Sequence, residues 1–373
     1  MNNDVVTEIL LHLPVRSLLK FRAVCKFWCD VIDSTRFCEL HNELHINNNN
    51  DNDKADDAVC IQFTCVENSG ELKLSTELIY NGFLISFDLP SFDLEDRRIM
   101  EDPNRCLEVA GAVKGLICIS DVHISSIVVC NPFLGQLKIL PLSPHNPCHL
   151  CGRIMRYQQV GIGFDEDYKV VQLLCCIRDH GCVQAYLYSR RTDSWRELAL
   201  DQELSTYPFM KSSCRNGSFV YWLGWRTGDP STVILSFDMK NEVFRTFTIS
   251  SQGLMRGCKL DFLAKDDCSF FLFVSCIDVL KVYESRVEGN ELIWTLVTNL
   301  VTNMELAVIR DLPLWRGDDF AVLKKLDCAV WRLLLLGDRV SLLLYDCRAR
   351  EFIARLLPEI SAFVEYEGSF ISP

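Results

Sequence analysis

A short cysteine–histidine segment carries the residue types best suited to metal chemistry in this chain. The segment HNPCHLC supplies His145, Cys148, His149 and Cys151. A C-x-x-C pair beside imidazoles has the spacing of half a zinc site. The residues that would have to fold back to complete the site are Cys175, Cys176, His180 and Cys182. Because a single such pair is a weak signal in a chain with 19 cysteines, the alternative is a loop without a ligand. We expect no metal and no cofactor.

Signals for the common nucleotide, hydrolase and metalloprotease sites are absent from the sequence. The patterns GxGxxG, GxxxxGK[ST], GxSxG and HExxH do not occur. Gly161 and Gly163 precede an apolar strand-like run, so they lack the helix that phosphate binding needs. Neighbouring acids such as Asp165 and Asp167 are typical of solvated turns. The residue types therefore predict binding and not catalysis.

Helices near the start of the chain are the first elements that could provide a binding surface. One apolar stripe comprises Val5, Val6, Ile9, Leu10 and Leu13, and a second comprises Phe21, Val24, Cys25, Trp28, Val31 and Ile32. Both have helical spacing. Pro14 ends the first helix, because the residue before a proline avoids the helical region. Three short helices in about forty residues cannot enclose all this apolar surface, which predicts a docking module.

The same residues carry a family resemblance. LPVRSLLKFRAVCKFWCDVI resembles the F-box of plant F-box proteins, whose usual pattern is LPxxSLxxFxxVCKxW, over roughly residues 2–42. The family usually has Leu-Pro just before the acidic start of helix one, where this chain has Asn2-Asn3, which is consistent with a trimmed start or weaker docking. The alternative is an ordinary helical cap on the following domain.

The F-box resemblance implies a partner and a set of contact residues. The partner is a Skp-type adaptor and, through it, a cullin–RING ubiquitin ligase. The candidate adaptor-binding residues are Val5, Ile9, Leu13, Pro14, Leu18, Leu19, Val24, Cys25 and Trp28.

Charge and composition narrow the classes of partner and compartment. The net charge is −12, while residues 1–42 contain equal numbers of acids and bases. The acidic remainder argues against nucleic acid and is compatible with a basic protein partner, or simply with solubility. The chain contains no run of 18 apolar residues, so no membrane span is expected. Asp4 and Glu8 are acidic where a signal peptide would be basic, so secretion is not expected. Cysteines scattered through apolar runs favour a reduced cytoplasmic or nuclear chain.

The remaining chain reads as a linker followed by an all-β domain. Residues 46–58, INNNNDNDKADDA, are polar and low in complexity, which predicts a flexible connection. The expected organisation is an F-box at 1–45, the linker at 46–58 and a second domain at 59–373. Short apolar runs punctuated by Gly, Asn, Asp and Ser follow, with no long helical period between them. The fold class is therefore α+β, with a small three-helix module before the β domain.

An internal repeat indicates how the β domain is built. YSRRTDSW (188–195), FDMKNEVF (237–244) and YDCRAREF (345–352) each place two aromatic rings seven residues apart across a polar turn. Looser versions occur at Phe87, at Asn131 and from Tyr283 to Trp294. The spacing of roughly 40–60 residues between copies predicts propeller blades, five or six in number. A β-sandwich is the alternative.

The second domain resembles a known family as well. GAVKGLICIS, CNPFLGQLKILP, GIGFDEDYKVV, YLYSRRTDSWREL, NGSFVYWLGW and ILSFDMKNEVF are similar to successive signatures of the plant F-box-associated β-propeller domain, a kelch-like fold, over roughly residues 105–250. The first signature departs from the family's usual Cys-Asn at Val113-Lys114. The ending SAFVEYEGSFISP is similar to the ends of S-locus F-box proteins.

Together the two resemblances imply a substrate receptor of a Skp–cullin–F-box ubiquitin ligase. The propeller would bind a target protein through loops, for which residues 143–157 and 302–318 are candidates. Trp315 and Arg316 would suit an interface anchor, although packing of Trp315 between blades is the alternative. The S-locus likeness suggests a basic ribonuclease in pollen as target. Two further alternatives are a stand-alone binding propeller and a propeller enzyme.

Overall fold

A computed structural model describes most of the chain. The residues described are 3–47, 58–65, 71–80, 83–88, 92–93, 107–121, 126–144, 157–176, 183–201, 209–215, 218–225, 232–249, 259–264, 269–276, 279–288, 291–301, 320–323, 328–335, 339–346, 351–355, 362–365 and 368–373.

The first described segment, residues 3–47, is a helical module of four helices and not three. They are α1 (Asn3–Leu11), α2 (Val15–Phe21), α3 (Lys26–Ile32) and α4 (Thr35–Asn47). Ser34 is the N-cap of α4, because its Oγ accepts a hydrogen bond from the backbone N–H of Phe37 at 3.3 Å. The buried face of α4 includes Phe37 and His41, at 2% exposure each. Because α4 is rich in polar residues and has few apolar ones, its sequence pattern did not predict a helix.

Among the described residues the strands form six antiparallel units, named blades 1 to 6, of which blade 1 has five strands and each of the others has four. Blade 1 contains β1 (Ala58–Cys65), β2 (Glu71–Tyr80), β3 (Phe83–Asp88), the short β4 (Phe92–Asp93) and β25 (Ala362–Glu365). Blade 2 contains β5 (Leu107–Val113), β6 (Leu116–Asp121), β7 (Ile127–Asn131) and β8 (Gln136–Ile139). Blade 3 contains β9 (Tyr157–Asp165), β10 (Asp167–Cys175), β11 (Val183–Ser189) and β12 (Ser194–Leu198).

The other three blades follow in chain order. Blade 4 contains β13 (Phe209–Arg215), β14 (Phe219–Trp225), β15 (Thr232–Asp238) and β16 (Val243–Ile249). Blade 5 contains β17 (Lys259–Ala264), β18 (Phe270–Cys276), β19 (Val279–Glu288) and β20 (Glu291–Val301). Blade 6 contains β21 (Phe320–Leu323), β22 (Cys328–Leu335), β23 (Arg339–Asp346) and β24 (Glu351–Arg355).

The blades are arranged as in a propeller, which confirms that expectation over the sandwich. One strand of each blade lies beside a strand of the next blade, in the order β21, β25, β5, β9, β13 and β17. Strand β25 pairs antiparallel with β1, so the last strand completes the blade that the first strand begins. A single parallel pair, Thr248 with Glu291, joins β16 of blade 4 to β20 of blade 5.

Burial follows position within a blade. Every residue of the third strands β7 and β15 is buried, whereas the fourth strands β12 and β16 are largely exposed. Buried Cys118 and Cys130 of blade 2 have free thiols, and burial raises the pKa of Cys130 to about 12. Such thiols act as small apolar side chains.

The aromatic repeat predicted from the sequence is a set of hairpins with paired rings. Tyr188 lies opposite Trp195, with ring centroids 5.4 Å apart. Phe237 lies opposite Phe244, with centroids 4.7 Å apart. In blade 6, Tyr345 is the strand partner of Phe352. In blade 5 the register that starts at the turn pairs Tyr283 with Leu296, and Trp294 pairs with Ser285.

The turns of these hairpins connect one blade to the next. Asp193 and Glu242 occupy the same position of the repeat, and both have a positive φ, 48° and 56°. Lys138 of blade 2 pairs with Asp193 of blade 3 at 2.8 Å. Lys169 of blade 3 pairs with Glu242 of blade 4 at 3.1 Å. A lysine from one blade therefore holds the turn of the next blade, twice in succession.

Candidate docking surface

The apolar stripe of α1 divides into a buried edge and an exposed edge. Val6 and Leu10 are 5% and 1% exposed, whereas Val5 and Ile9 are 52% and 57% exposed. Each pair is four residues apart and therefore lies along one line of the helix. One broad stripe thus provides both an internal contact and an external apolar surface.

The buried edge packs against blade 2. A single apolar cluster joins the helices to that blade. Its buried helical members are Val6, Leu10, Leu11, Val15, Leu18, Ile32 and Phe37, and its other buried members are Val109, Ile117, Ile119, Val128, Cys130, Phe133 and Phe370. Alternate residues of β6, such as Leu116 and Cys118, belong to the cluster between blades 2 and 3. Because side chains alternate along a strand, blade 2 buries one face on the helices and the other on blade 3.

The exposed edge of α1 provides two of the nine candidate adaptor-binding residues, and three more are exposed between α1 and α3. Five of them are exposed and form what we call the docking face: Val5, Ile9, Pro14, Val24 and Cys25. Leu13, Leu19 and Trp28 are half-buried and pack against the cluster with blade 2. Leu18 is 0% exposed, so it belongs to that cluster and is not available for docking in this structure. Exposed apolar side chains concentrated on one short module indicate a binding surface.

Polar contacts hold the turns beside the docking face. The Nε2–H of His41 on α4 donates to the carbonyl oxygen of Leu13 at 2.8 Å, which fixes the turn before Pro14. The Arg22 guanidinium makes two bonds to Asp33, Nε to Oδ1 and Nη2 to Oδ2, at 2.8 Å each. The same carboxylate raises the pKa of Arg22. Since these turns are held before any partner arrives, binding would lose little conformational entropy.

Trp28 is set by a ring contact next to the docking face. Its indole meets Phe21 edge to face, with centroids 5.3 Å apart and planes at 74°. The ring links the ends of α2 and α3. The two rings provide apolar surface next to the docking face.

The candidate target-binding residues of the propeller lie outside the described residues. Trp315 and Arg316 fall there, as do residues 302–318 and most of 143–157. The same holds for the HNPCHLC segment. Within the described part of the chain, no three His, Cys, Asp or Glu side chains are grouped so as to hold a metal ion. No helix in that part is long and apolar enough to cross a membrane.

The sequence analysis missed residues that connect the helices to blade 2. Asn131, Gly115 and Phe370 all contribute to that contact. Asn131 stands in an Asn-Pro turn after an apolar strand, a common turn signal. Nothing local marks its partners Ser369 and Ile371, which lie more than 230 residues away along the chain.

Comparisons with known proteins agree with this architecture. Residues 1–40 match the model of the F-box domain, and residues 78–264, half of the chain, match that of the F-box associated beta propeller domain. An F-box protein of Arabidopsis thaliana is 26% identical, over 77% of this chain and 62% of that protein. An F-box/kelch-repeat protein of the same plant is 24% identical, over 65% and 58%.

The matches cover only part of the relatives, and the similarity to solved structures is low. The chain spans about three fifths of the length of those two relatives. A solved puromycin-hydrolysing peptidase of Mycobacterium tuberculosis aligns over 82% of this chain and 48% of that one, at 10% identity and a TM-score of 0.38. So low a score supports no argument about activity.

Proposed function

The chain belongs to the F-box-associated β-propeller family, and on that basis we propose that it is the substrate receptor of a Skp–cullin–F-box ubiquitin ligase. The F-box binds the Skp-type adaptor, and the propeller binds a target protein. The observation that carries the proposal is an F-box sequence whose helices expose a compact apolar docking face. The same chain then holds the target near a ubiquitin-charged enzyme, so its contribution is effective concentration.

Adaptor binding is assigned to the docking face and its border. Val5, Ile9 and Val24 provide the most exposed aliphatic surface, at 52%, 57% and 59%. Leu13, Leu19 and Trp28 border that surface, while Leu18 supports it from beneath. Burying these side chains against an apolar partner would stabilise the complex by about 1.5–3 kcal/mol for each fully buried Val or Ile.

The target is assigned to the propeller, and its chemistry follows from charge. Residues 59–373 carry a net charge of −8, so a basic protein would be attracted to the propeller over a range set by ionic strength. Residues 143–157 and 302–318, with Trp315 and Arg316, remain the proposed recognition loops. The catalytic step takes place on other subunits, and the chain works in the cytoplasm or nucleus. The division into 1–45, 46–58 and 59–373 is retained as part of this proposal.

The test is co-expression with a plant Skp-type adaptor, followed by size-exclusion chromatography. We expect a one-to-one complex that is lost with Ile9→Asp and with Val24→Asp, since either places a charge in the apolar interface. Both positions are exposed, so the fold should tolerate them better than Leu13→Asp. The matched control is Ile139→Asp on β8, where the replaced side chain is 46% exposed, and it should bind normally. A complex that survives both helix variants would overturn the assignment.

A further inference from the structure

Residues 368–373, named the strap, run between α4 and blade 2. Asn131, which is 0% exposed, is the main anchor on the blade. Its Nδ2 donates to the backbone oxygens of Ser369 at 3.0 Å and Ile371 at 2.9 Å. Its Oδ1 accepts from the backbone N–H of Phe133 at 3.0 Å. One buried amide therefore holds both its own turn and the strap.

The other side of the strap contacts α4. The backbone N–H of Phe370 donates to Oδ1 of Asn42 at 3.3 Å. The Phe370 ring meets His41 and Phe37 edge to face, at 5.2 and 6.3 Å between centroids. Since His41 also holds the turn at Leu13, the strap is one contact away from the docking face.

Two glycines allow this close approach. Gly115 has a φ of +74°, and a Cβ there would overlap Ser369. Ser369 Oγ donates to the backbone oxygen of neighbouring Lys114 at 2.5 Å. A Cβ on Gly368 would overlap the ring of Phe133. The strap and the hairpin between β5 and β6 are therefore fitted to each other at backbone level.

The strap also joins two separate apolar clusters. Phe370 is buried with the helices and one face of blade 2, whereas the next residue, Ile371, is buried with the opposite face and blade 3. Successive side chains of an extended segment point in opposite directions, so six residues reach both clusters. A contact of this kind resists rotation of the helices about the blade.

We propose that the strap is an intramolecular latch that fixes the orientation of the helical module on the propeller. Without it, the helices retain their apolar contact with blade 2 but lose the bonds that resist rotation and sliding. If the chain is a ligase receptor as proposed above, the latch sets the direction in which the bound target faces the ubiquitin-charged enzyme. Only this consequence rests on the proposed function. The latch itself is a property of the free chain.

The test compares two glycine variants of the full chain by hydrogen–deuterium exchange. Gly115→Ala would push Ser369 away, whereas Gly135→Ala is the matched control. Gly135 also has a positive φ, +61°, but a Cβ there meets nothing within 4 Å. With Gly115→Ala we expect at least tenfold faster exchange in α4 and unchanged exchange in β10. With Gly135→Ala, α4 should exchange as in the parent chain. Unchanged α4 protection in Gly115→Ala, with the strap deprotected, would overturn the latch.

A second variant and a measurement on the unmodified chain distinguish loss of the latch from misfolding of Gly115→Ala. Asn131→Asp keeps the acceptor for Phe133 but replaces the donor to the strap with a carboxylate, and it should accelerate α4 as Gly115→Ala does. In the unmodified chain, exchange in dilute urea should show the strap and α4 opening together. A strap that exchanges tenfold faster while α4 stays closed would contradict the proposal. Neither experiment includes an adaptor, so failure of adaptor binding would leave this result intact.

Discussion

Blade 2 and blade 3 each bury both faces of a four-stranded sheet, but among the described residues one face of blade 2 is covered by helices. One face of blade 3 packs on blade 2 and the other on blade 4. Blade 2 packs on blade 3 and on helices. The strands are equally apolar, so the difference lies in what covers them. Within the part of the chain that the structure describes, the helical module thus shares an apolar core with blade 2 besides carrying the docking face.

The two interfaces also differ in their polar contacts. Blades 3 and 4 are joined by Lys169, which is 15% exposed and bonds Asp165, Glu242 and the backbone oxygen of Met239. The helices meet blade 2 through apolar side chains and the strap. Substitutions that remove a charge should therefore destabilise the interface between blades 3 and 4. Removal of apolar side chains should destabilise the interface between the helices and blade 2.

The largest effect is expected from removing the helices. A chain of residues 48–373 would expose Ile117, Ile119, Val128 and Cys130, at a cost of about 1.5–3 kcal/mol for each large side chain. We expect most of it to aggregate, as measured by the soluble fraction and size-exclusion chromatography. A soluble shortened chain that unfolds at the temperature of the full chain would show that the helices do not complete this core.

A double substitution should have opposite effects in the two chains. Ile119→Thr with Val128→Thr should raise the soluble fraction of the shortened chain, because its exposed face becomes more polar. In the full chain the same pair should lower the free energy of unfolding, by about 1–3 kcal/mol per site, because hydroxyls are buried against the helices. Effects of the same sign in both chains would contradict the shared core.

A smaller effect is expected at the joint between blades 3 and 4. Lys169→Met removes three bonds and leaves Asp165 and Glu242 without that partner, which should lower the free energy of unfolding by about 1–3 kcal/mol. The control is Arg191→Met. Arg191 pairs with Glu166 at 2.5 Å, with the two side chains 69% and 73% exposed, so no measurable change is expected. Denaturant midpoints compare the two, and equal midpoints would remove the special role of Lys169.

The smallest effect is a pH dependence at the joint between blades 2 and 3. Bonds from Lys138 and Tyr188 lower the pKa of Asp193 below 3.8. A lowered pKa adds stability above the unfolded value, and that stability is lost as pH falls through the folded value. Asp193→Asn tolerates the same positive φ without the charge. The melting temperature of the parent should exceed that of the variant equally at pH 7 and pH 5, and the gap should close below about pH 3.8. A gap that does not narrow as the pH falls below about 3.8 would exclude the ion pair as its source.

Local patterns predicted the parts of this molecule that local physics decides. Aromatic residues seven apart across a polar turn predicted the hairpins at Tyr188 and Phe237, because the turn length sets which residues lie opposite each other. The stripe from Val5 to Leu13 predicted α1 for the same kind of reason, whereas the second stripe is divided, because Phe21 ends α2 and Val24 and Cys25 precede α3. The fourth helix was missed because its buried side chains are few.

Contacts between distant segments could not be predicted in this way. Val5 and Val6 are neighbours of the same type, yet one is exposed and the other is buried, and packing against the other helices and blade 2 decides which. Asn131 was predicted only as the start of a looser copy of the aromatic repeat, and its bonds to the strap depend on how the first and last strands meet in blade 1. Leu18 was assigned to docking because its side chain is apolar, and its burial follows from packing against the sheet.

The central claim is that the helices bind the adaptor with one face while the other stays on blade 2. Hydrogen–deuterium exchange of the full chain with and without a plant Skp-type adaptor tests it most directly. We predict slower exchange in α1 and α3 on binding and no change in β6 and β7 of blade 2. Faster exchange in β6 and β7 on binding would mean that the helices leave the sheet to meet the adaptor, and that result would contradict the account.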